Sequence, residues 1–108
     1  YHYSIAVDIT GLVVQRISSM PFDEYLQDNI FAPLGMKDTF FEVPRSARER
    51  FLPNYFFDPE SGKPVDISLA PPPFNSRKKV AMQDYASVSL YSGGGGLVST
   101  AMDYARFA

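Results

Sequence analysis

The stretch Tyr91-Ser92-Gly93-Gly94-Gly95-Gly96-Leu97-Val98-Ser99-Thr100-Ala101-Met102-Asp103-Tyr104-Ala105-Arg106-Phe107 runs four glycines straight into a capped, apolar-faced segment. It reads as a close-approach loop feeding a helix. Glycine lets the backbone take positive φ and admits a second backbone or a ligand at short range. Ser99 or Thr100 is placed to cap the helix, and Asp103 falls in its first turn, where a negative charge meets the positive end of the dipole. A phosphate cradle of this spacing needs a lysine beside the final Ser/Thr, and Leu97-Val98 stand there instead, so a tight packing turn is the better reading.

Working outward, Ile5, Ile9, Leu12, Val13, Ile17 and Met20 fall at spacings of three and four around one apolar stripe, which predicts a helix near residues 4–18. Ser4 is placed to cap it and Asp8 sits in its first turn. Gly11, which costs about 1 kcal/mol relative to alanine in a helix interior, marks close packing against a neighbour. A second helix is expected over residues 21–31, with Pro21 at its start, Asp23 and Glu24 in the first turn, and Phe22, Tyr25, Leu26 and Ile30 at helical spacing. Its end is expected near Phe31, because Pro33 is hard to continue through and Gly35 supplies a turn; Leu34 and Met36 then drop into the core. The two stripes predict a shared core of Ile9, Leu12, Val13, Phe22, Leu26 and Ile30.

Thr39-Phe40-Phe41-Glu42-Val43 has the β-propensity of a short strand that Pro44 ends. Asn54-Tyr55-Phe56-Phe57 and Pro64-Val65-Asp66-Ile67 flank Asp58-Pro59-Glu60-Ser61-Gly62-Lys63 as two strands flank a turn, so a hairpin is expected. Ala70-Pro71-Pro72-Pro73-Phe74 reads as an extended, polyproline-like path. No internal repeat is visible.

Composition narrows the function classes. The 108 residues are 45% hydrophobic and 20% charged, an ordinary globular mixture. A net charge of −2 argues against a nucleic-acid surface, and Arg77-Lys78-Lys79 reads as a solvated loop. With no cysteine there is no disulfide or thiolate metal site, and the single histidine, His2, does not build a zinc site by itself; no metal or cofactor is expected. No stretch approaches the roughly twenty apolar residues of a membrane span. Compartment and oligomeric state stay open.

Four blocks in one order resemble the β-lactamase-related serine hydrolases, the group that joins class C β-lactamases, DD-peptidases and family VIII carboxylesterases. They are Tyr3-Ser4 with Asp8 and Gly11; Pro21-Phe22 with Tyr25-Leu26; Ile30-Phe31-Ala32-Pro33-Leu34-Gly35-Met36-Lys37-Asp38-Thr39; and Gly94-Gly95-Gly96-Leu97-Val98-Ser99-Thr100-Ala101 with Asp103 and Phe107. Pro-Leu-Gly-Met alone is common, but the order and spacing of all four across most of the chain form a specific signal.

The resemblance implies an α+β chain, the helix-rich portion of the serine β-lactamase/transpeptidase-like fold, with short strands and long loops. Residues 1–108 are then expected to be one partial domain, without the nucleophile-bearing N-terminal part and the C-terminal sheet. The implied chemistry is acyl transfer from a small-molecule ester, amide or β-lactam through an acyl-enzyme. Of the family's catalytic elements only the tyrosine element is present, at Tyr3-Ser4-Ile5, and Tyr3 is the implied proton shuttle. Ile5 stands where β-lactamases carry Asn, which brings the sequence nearer the esterase-like branch. A free phenol titrates near pH 10, so a tyrosinate base at neutral pH must be lowered by about three pH units, roughly 4 kcal/mol, which nearby ammonium groups supply. No lysine of this chain lies close to Tyr3 in sequence; the first is Lys37.

Ser76-Arg77-Lys78-Lys79 matches the bare Ser-x-x-Lys pattern but follows a triple proline and precedes three cations, a context that keeps each lysine solvated and protonated. It also lies downstream of Tyr3, whereas the family's nucleophile lies upstream. Ser76 and His2 are therefore not assigned catalytic roles, and the 108 residues alone are expected to be inactive. Two other classes remain: a non-catalytic β-lactamase-like binding module, and a complete small structural domain.

Overall fold

The computed structural model describes residues 5–53, 55–66 and 85–108. Tyr1 to Ser4, Asn54 and residues 67–84 lie outside it, and with them His2, Tyr3, the proline-rich Ala70–Phe74 stretch and Ser76-Arg77-Lys78-Lys79. The chain divides into two compact units, one of residues 1–42 and 88–108 and the other of Val43–Ser87.

In the first unit, helix α1 spans Ala6–Ser18 and ends on Ser19 in the left-handed conformation. Its flanking position is Ile5, which makes no side-chain cap hydrogen bond; Ser4, the expected cap, lies outside the described residues. Helix α2, Phe22–Leu26, follows directly, and the amide of Phe22 donates to Oε1 of Gln15 on α1 at 3.3 Å. That bond occupies one of the donors a helix start leaves free.

The second helix does not stop at Phe31. It widens into a π-helical turn at Gln27–Phe31 and resumes as α3 over Ala32–Leu34, carrying Pro33 inside it. A proline ring collides with the carbonyl four residues back, here Asn29, which lies within the widened turn; the π geometry makes the room. The helix ends on Gly35, at φ 67°, with Gly35 N–H donating to the Ala32 carbonyl and Met36 N–H to that of Phe31. This is a Schellman closure, which glycine reaches without strain. It buries Met36 but leaves Leu34 exposed, so only one of the two residues expected in the core enters it.

Phe22, Phe31, Met36 and Phe41 form the apolar centre of this unit, with the Phe22 and Phe41 rings 5.7 Å apart and Phe41 and Tyr91 5.2 Å apart. The expected contribution of α1 to this core is corrected. Ile9, Leu12 and Val13 are exposed, as are Ile5 at 70% and Ile17 at 80%, while Leu26 and Ile30 are half-buried and Phe22 alone of the six is buried. The inward face of α1 is instead Asp8, Gly11, Val14 and Ser18. A Cβ on Gly11 would sit 3.1 Å from the Phe22 ring, so α1 packs by close approach along its small-residue side rather than by its apolar stripe.

The segment after Met36 is a single antiparallel bridge, Phe40 with Val98, exchanging two hydrogen bonds of 2.8 Å, rather than a full strand. Just beyond Val98, Thr100 caps helix α4, Ala101–Phe107, by accepting from Asp103 N–H at 3.2 Å. The chain turns into the helix before the ladder can lengthen. Asp103, 1% exposed, is the one residue α4 buries. Its Oδ2 accepts from Asp38 N–H at 2.6 Å and from the Thr39 hydroxyl at 3.1 Å, and its Oδ1 accepts from Arg106 at 2.6 Å. An ionised carboxylate only accepts, so Thr39 gives it its proton and in turn accepts from the Ser99 hydroxyl 2.8 Å away.

In the second unit, a 3-10 turn at Arg45–Arg50 precedes a two-stranded antiparallel hairpin of β1, Tyr55–Asp58, and β2, Lys63–Asp66, in the register Tyr55 to Asp66 through Asp58 to Lys63. The Asp58 carboxylate organises the turn, accepting from the amides of Glu60 and Ser61 and from the Ser61 hydroxyl. Pro64 is tolerated because both strands of a two-stranded sheet are edges. Val43 N–H donates to the Tyr85 carbonyl at 2.7 Å, and the Phe51 and Tyr85 rings meet at 5.4 Å.

Replacing Asp103 by alanine leaves the Asp38 amide and the Thr39 hydroxyl without their buried acceptor. The expected loss is about 3 kcal/mol or more of unfolding free energy. Urea denaturation of the variant beside the parent protein reads it directly, and a loss under about 0.5 kcal/mol would remove Asp103 from the centre of this unit.

Candidate functional site

The glycine run lies against the start of α1. A Cβ on Gly93 would stand 2.5 Å from the Val7 carbonyl oxygen, so no other residue fits there without moving the backbone. One residue further along the helix, Asp8 Oδ1 accepts from the Ser92 hydroxyl and from Gly94 N–H at 3.1 Å. Ser92 Oγ in turn accepts from the amides of Gly94, at 3.3 Å, and Gly95, at 3.2 Å. The close-approach reading of this loop thus describes contact between two backbones, and the amides of Gly94, Gly95 and Gly96 all bond to Asp8 or Ser92.

These bonds decide what Ser92 and Asp8 can do. The Ser92 hydroxyl donates to a carboxylate and its oxygen accepts from two amides, so its hydrogen bonds are all made within the loop and the first turn of α1. The Ser92 hydroxyl, and then the Gly94 amide, hold the Asp8 carboxyl below its ordinary titration range, with burial opposing them weakly. So stabilised, Asp8 is a poor proton acceptor. The pair is a latch between the loop and the first turn of α1.

On the other side of the loop, a cleft of about 470 Å³ is lined by Asp23, Glu24, Asp28 and Glu42 around Phe41 and Tyr91. Glu42 also accepts from the amide of Val88 at 2.9 Å. The charge of Asp23 is the main cause that raises the Tyr91 phenol above its ordinary value, helped by burial, by Glu42, by a hydrogen bond with Asp23, and by Glu24. Tyr91 is therefore neutral at physiological pH and does not act as a tyrosinate base. Among the described residues no group of three or more His, Cys, Asp or Glu side chains is arranged to hold a metal ion, and no helix is long and apolar enough to cross a membrane.

The chain belongs to the β-lactamase family, within the β-lactamase-related serine hydrolase superfamily: the family model described as Beta-lactamase matches residues 1–108. Helices with a small two-stranded sheet agree with the α+β class expected for it. Two curated proteins of Mycobacterium tuberculosis are similar to it, Uncharacterized protein MT1414 of strain CDC 1551 and Protein Rv1367c of strain H37Rv. Each is 33% identical over 105 residues, which cover 97% of this chain and 23% of the relative. The chain thus spans about a quarter of the length of the curated relatives it matches.

Tyr3, the one residue the sequence marks for catalysis, lies outside the described residues, as do His2 and Ser76. The glycines are placed as scaffold. The sequence did not reveal that Asp8 and Ser92 bind each other, since 84 residues separate them; a polar residue on the small-residue side of α1 was the available sign.

Two outcomes follow for solution measurements. Asp8 binds its proton more weakly folded than unfolded, so its stabilising effect is full above about pH 4, the unfolded value, and fades as pH falls through the lower folded value. Urea midpoints recorded from pH 5 to pH 2 should fall less for Asp8→Asn than for the parent protein, the Asp58 turn titrating alike in both. In an ultraviolet titration of the phenols, one tyrosine should ionise above the ordinary value and vanish in Tyr91→Phe, and Asp23→Asn should bring it back down.

Proposed function

We propose that this chain is the tyrosine-bearing portion of a longer serine hydrolase of the esterase-like branch, acting by acyl transfer on a small-molecule ester. The observation that carries the reading is the family match along the whole chain together with Tyr3-Ser4-Ile5, where isoleucine replaces the asparagine that the resemblance assigns to β-lactamases.

In this reading a serine supplied by a Ser-x-x-Lys element outside the 108 residues attacks the ester carbonyl and gives its proton to the Tyr3 phenolate. The tetrahedral intermediate collapses as Tyr3 returns that proton to the departing alcohol, leaving an acyl-serine. Water, deprotonated by the same phenolate, then releases the acid and restores the serine. Among the described residues, neither Ser92 nor Tyr91 offers itself for these steps. Ser92 is committed to Asp8 and two amides, and Tyr91 is held protonated by Asp23.

Tyr3→Phe in the longer protein keeps the ring and removes only the oxygen that carries the proton. Turnover of an activated aryl ester should drop by about a hundredfold or more while the fold survives. Full turnover in that variant would end the shuttle assignment, and the absence of any hydrolysis in the unmodified protein would favour a binding module that keeps only the scaffold.

A further inference from the structure

We infer that the outward face of α1 is an internal docking surface: an apolar surface supplied by the rest of the longer polypeptide covers Ile5, Ile9, Leu12, Val13 and Ile17, so that α1 is buried on both sides. The inference rests on the reading of the chain as a portion of a longer protein, and on no step of the hydrolysis.

The polar groups of α1 are already used inside the protein. Asp8 accepts from Ser92 and Gly94, and Gln15 from the Phe22 amide at 3.3 Å. The Thr10 hydroxyl donates back to the Ala6 carbonyl at 2.9 Å, and that of Ser18 to the Gln15 carbonyl at 3.4 Å. Only Arg16, in the last turn, carries a positive charge, and its long stem lets that charge reach water beside an apolar contact. A helix whose polar side chains find partners on their own side asks nothing of water on the other. Neighbouring α2 and the turn after it are the contrast, since Glu24, Gln27 and Asp28 are exposed there and mark a solvated face.

Size and charge select the occupant. From Ile5 to Ile17 the stripe runs about 18 Å along a helix about 10 Å across, a few hundred Å² at most. A stable interface between separate molecules takes about 800 Å² from each partner and must also offset the lost freedom of two bodies, so this stripe alone does not hold a second copy. Within one polypeptide that loss is not incurred at the contact. A membrane surface fits no better: helices that lie on one carry lysine and arginine along their polar side, where α1 has Asp8, Gln15 and Ser18, and the chain has a net charge of −2. Polypeptide to cover the stripe is at hand, because the matched residues amount to 23% of each mycobacterial relative.

Thiol accessibility in the longer protein tests this, because the 108 residues hold no cysteine of their own. Ile9→Cys and Val13→Cys are made singly, with Gln27→Cys as the exposed control, and maleimide labelling is followed at each position by peptide mass spectrometry. In the native protein positions 9 and 13 should react at least about tenfold more slowly than position 27, equally in urea, and with no change on dilution. A smaller difference means that the stripe faces water and overturns the proposal. Protection lost on dilution would assign the face to a second copy, and protection gained only with anionic phospholipid vesicles would assign it to a membrane; either result also overturns it. If neither variant melts cooperatively, hydroxyl-radical oxidation of Ile9 and Leu12 in the unmodified protein, compared with its urea-unfolded form, reads the same face with the same threshold. Hydrolysis is a separate readout: a protected stripe in a protein that cleaves no ester would keep this interface and remove the proposed activity.

Discussion

The buried carboxylate of Asp103 is the constraint on which the first unit depends. Three separate pieces of chain converge on it: the turn after α3 through Asp38 and Thr39, the end of the glycine segment through Ser99 by way of Thr39, and α4 itself through Arg106. A fully buried charge is costly to desolvate unless its oxygens are satisfied, and here both are, by an amide, a hydroxyl and a guanidinium. The same residue donates its own amide to the Thr100 cap, so side chain and backbone of one position close a helix start and a tertiary contact at once. The Phe40 to Val98 bridge runs beside this centre, and the two fix where the glycine segment lies relative to the turn after α3.

With that segment fixed at its far end, its near end comes to rest on α1. The contact is polar and close rather than apolar, made by Asp8, Ser92 and Gly93. This is why the first unit holds two helices whose apolar residues face outward. Helix α1 exposes Ile5, Ile9, Leu12, Val13 and Ile17, and α4 exposes Met102, Tyr104 and Phe107, while their inward positions are Asp8, Gly11 and Asp103. The apolar centre is built by neighbours, Phe22, Phe31, Met36 and Phe41. Proposed membership in a longer hydrolase gives these outward stripes something to pack on, consistent with a chain that spans about a quarter of its relatives' length.

Electrostatics sets the protonation state of Tyr91. Tyr91 sits among carboxylates, which oppose a second negative charge and keep the phenol protonated. A shuttle needs the reverse, cations nearby, and in the proposed mechanism Tyr3 finds them in the part of the longer protein that supplies the serine and its lysine.

Local chemistry is what the sequence alone determined. The period of α1, the Thr100 cap with Asp103 in the first turn, the glycine exit at Gly35 and the hairpin around Asp58 to Lys63 are each set by residues within a few positions of one another, where steric and hydrogen-bonding rules act without reference to the rest of the chain. The ordered blocks from Tyr3 to Phe107 also sufficed for the family. Tertiary structure decided what depends on distant partners. A periodic stripe reports that a helix has two unlike faces but not which one turns inward, and α1 turned its Gly11 and Asp8 side inward because Phe22 and the Ser92 loop meet it there. Pro33 stayed within a helix because the π-helical turn before it opened space, and Asp103 became the buried centre because Asp38, Thr39 and Arg106 brought donors to it. In each case the deciding energy lies in pairing a polar group or closing a gap with atoms far away in sequence, and that information exists only once the chain has folded.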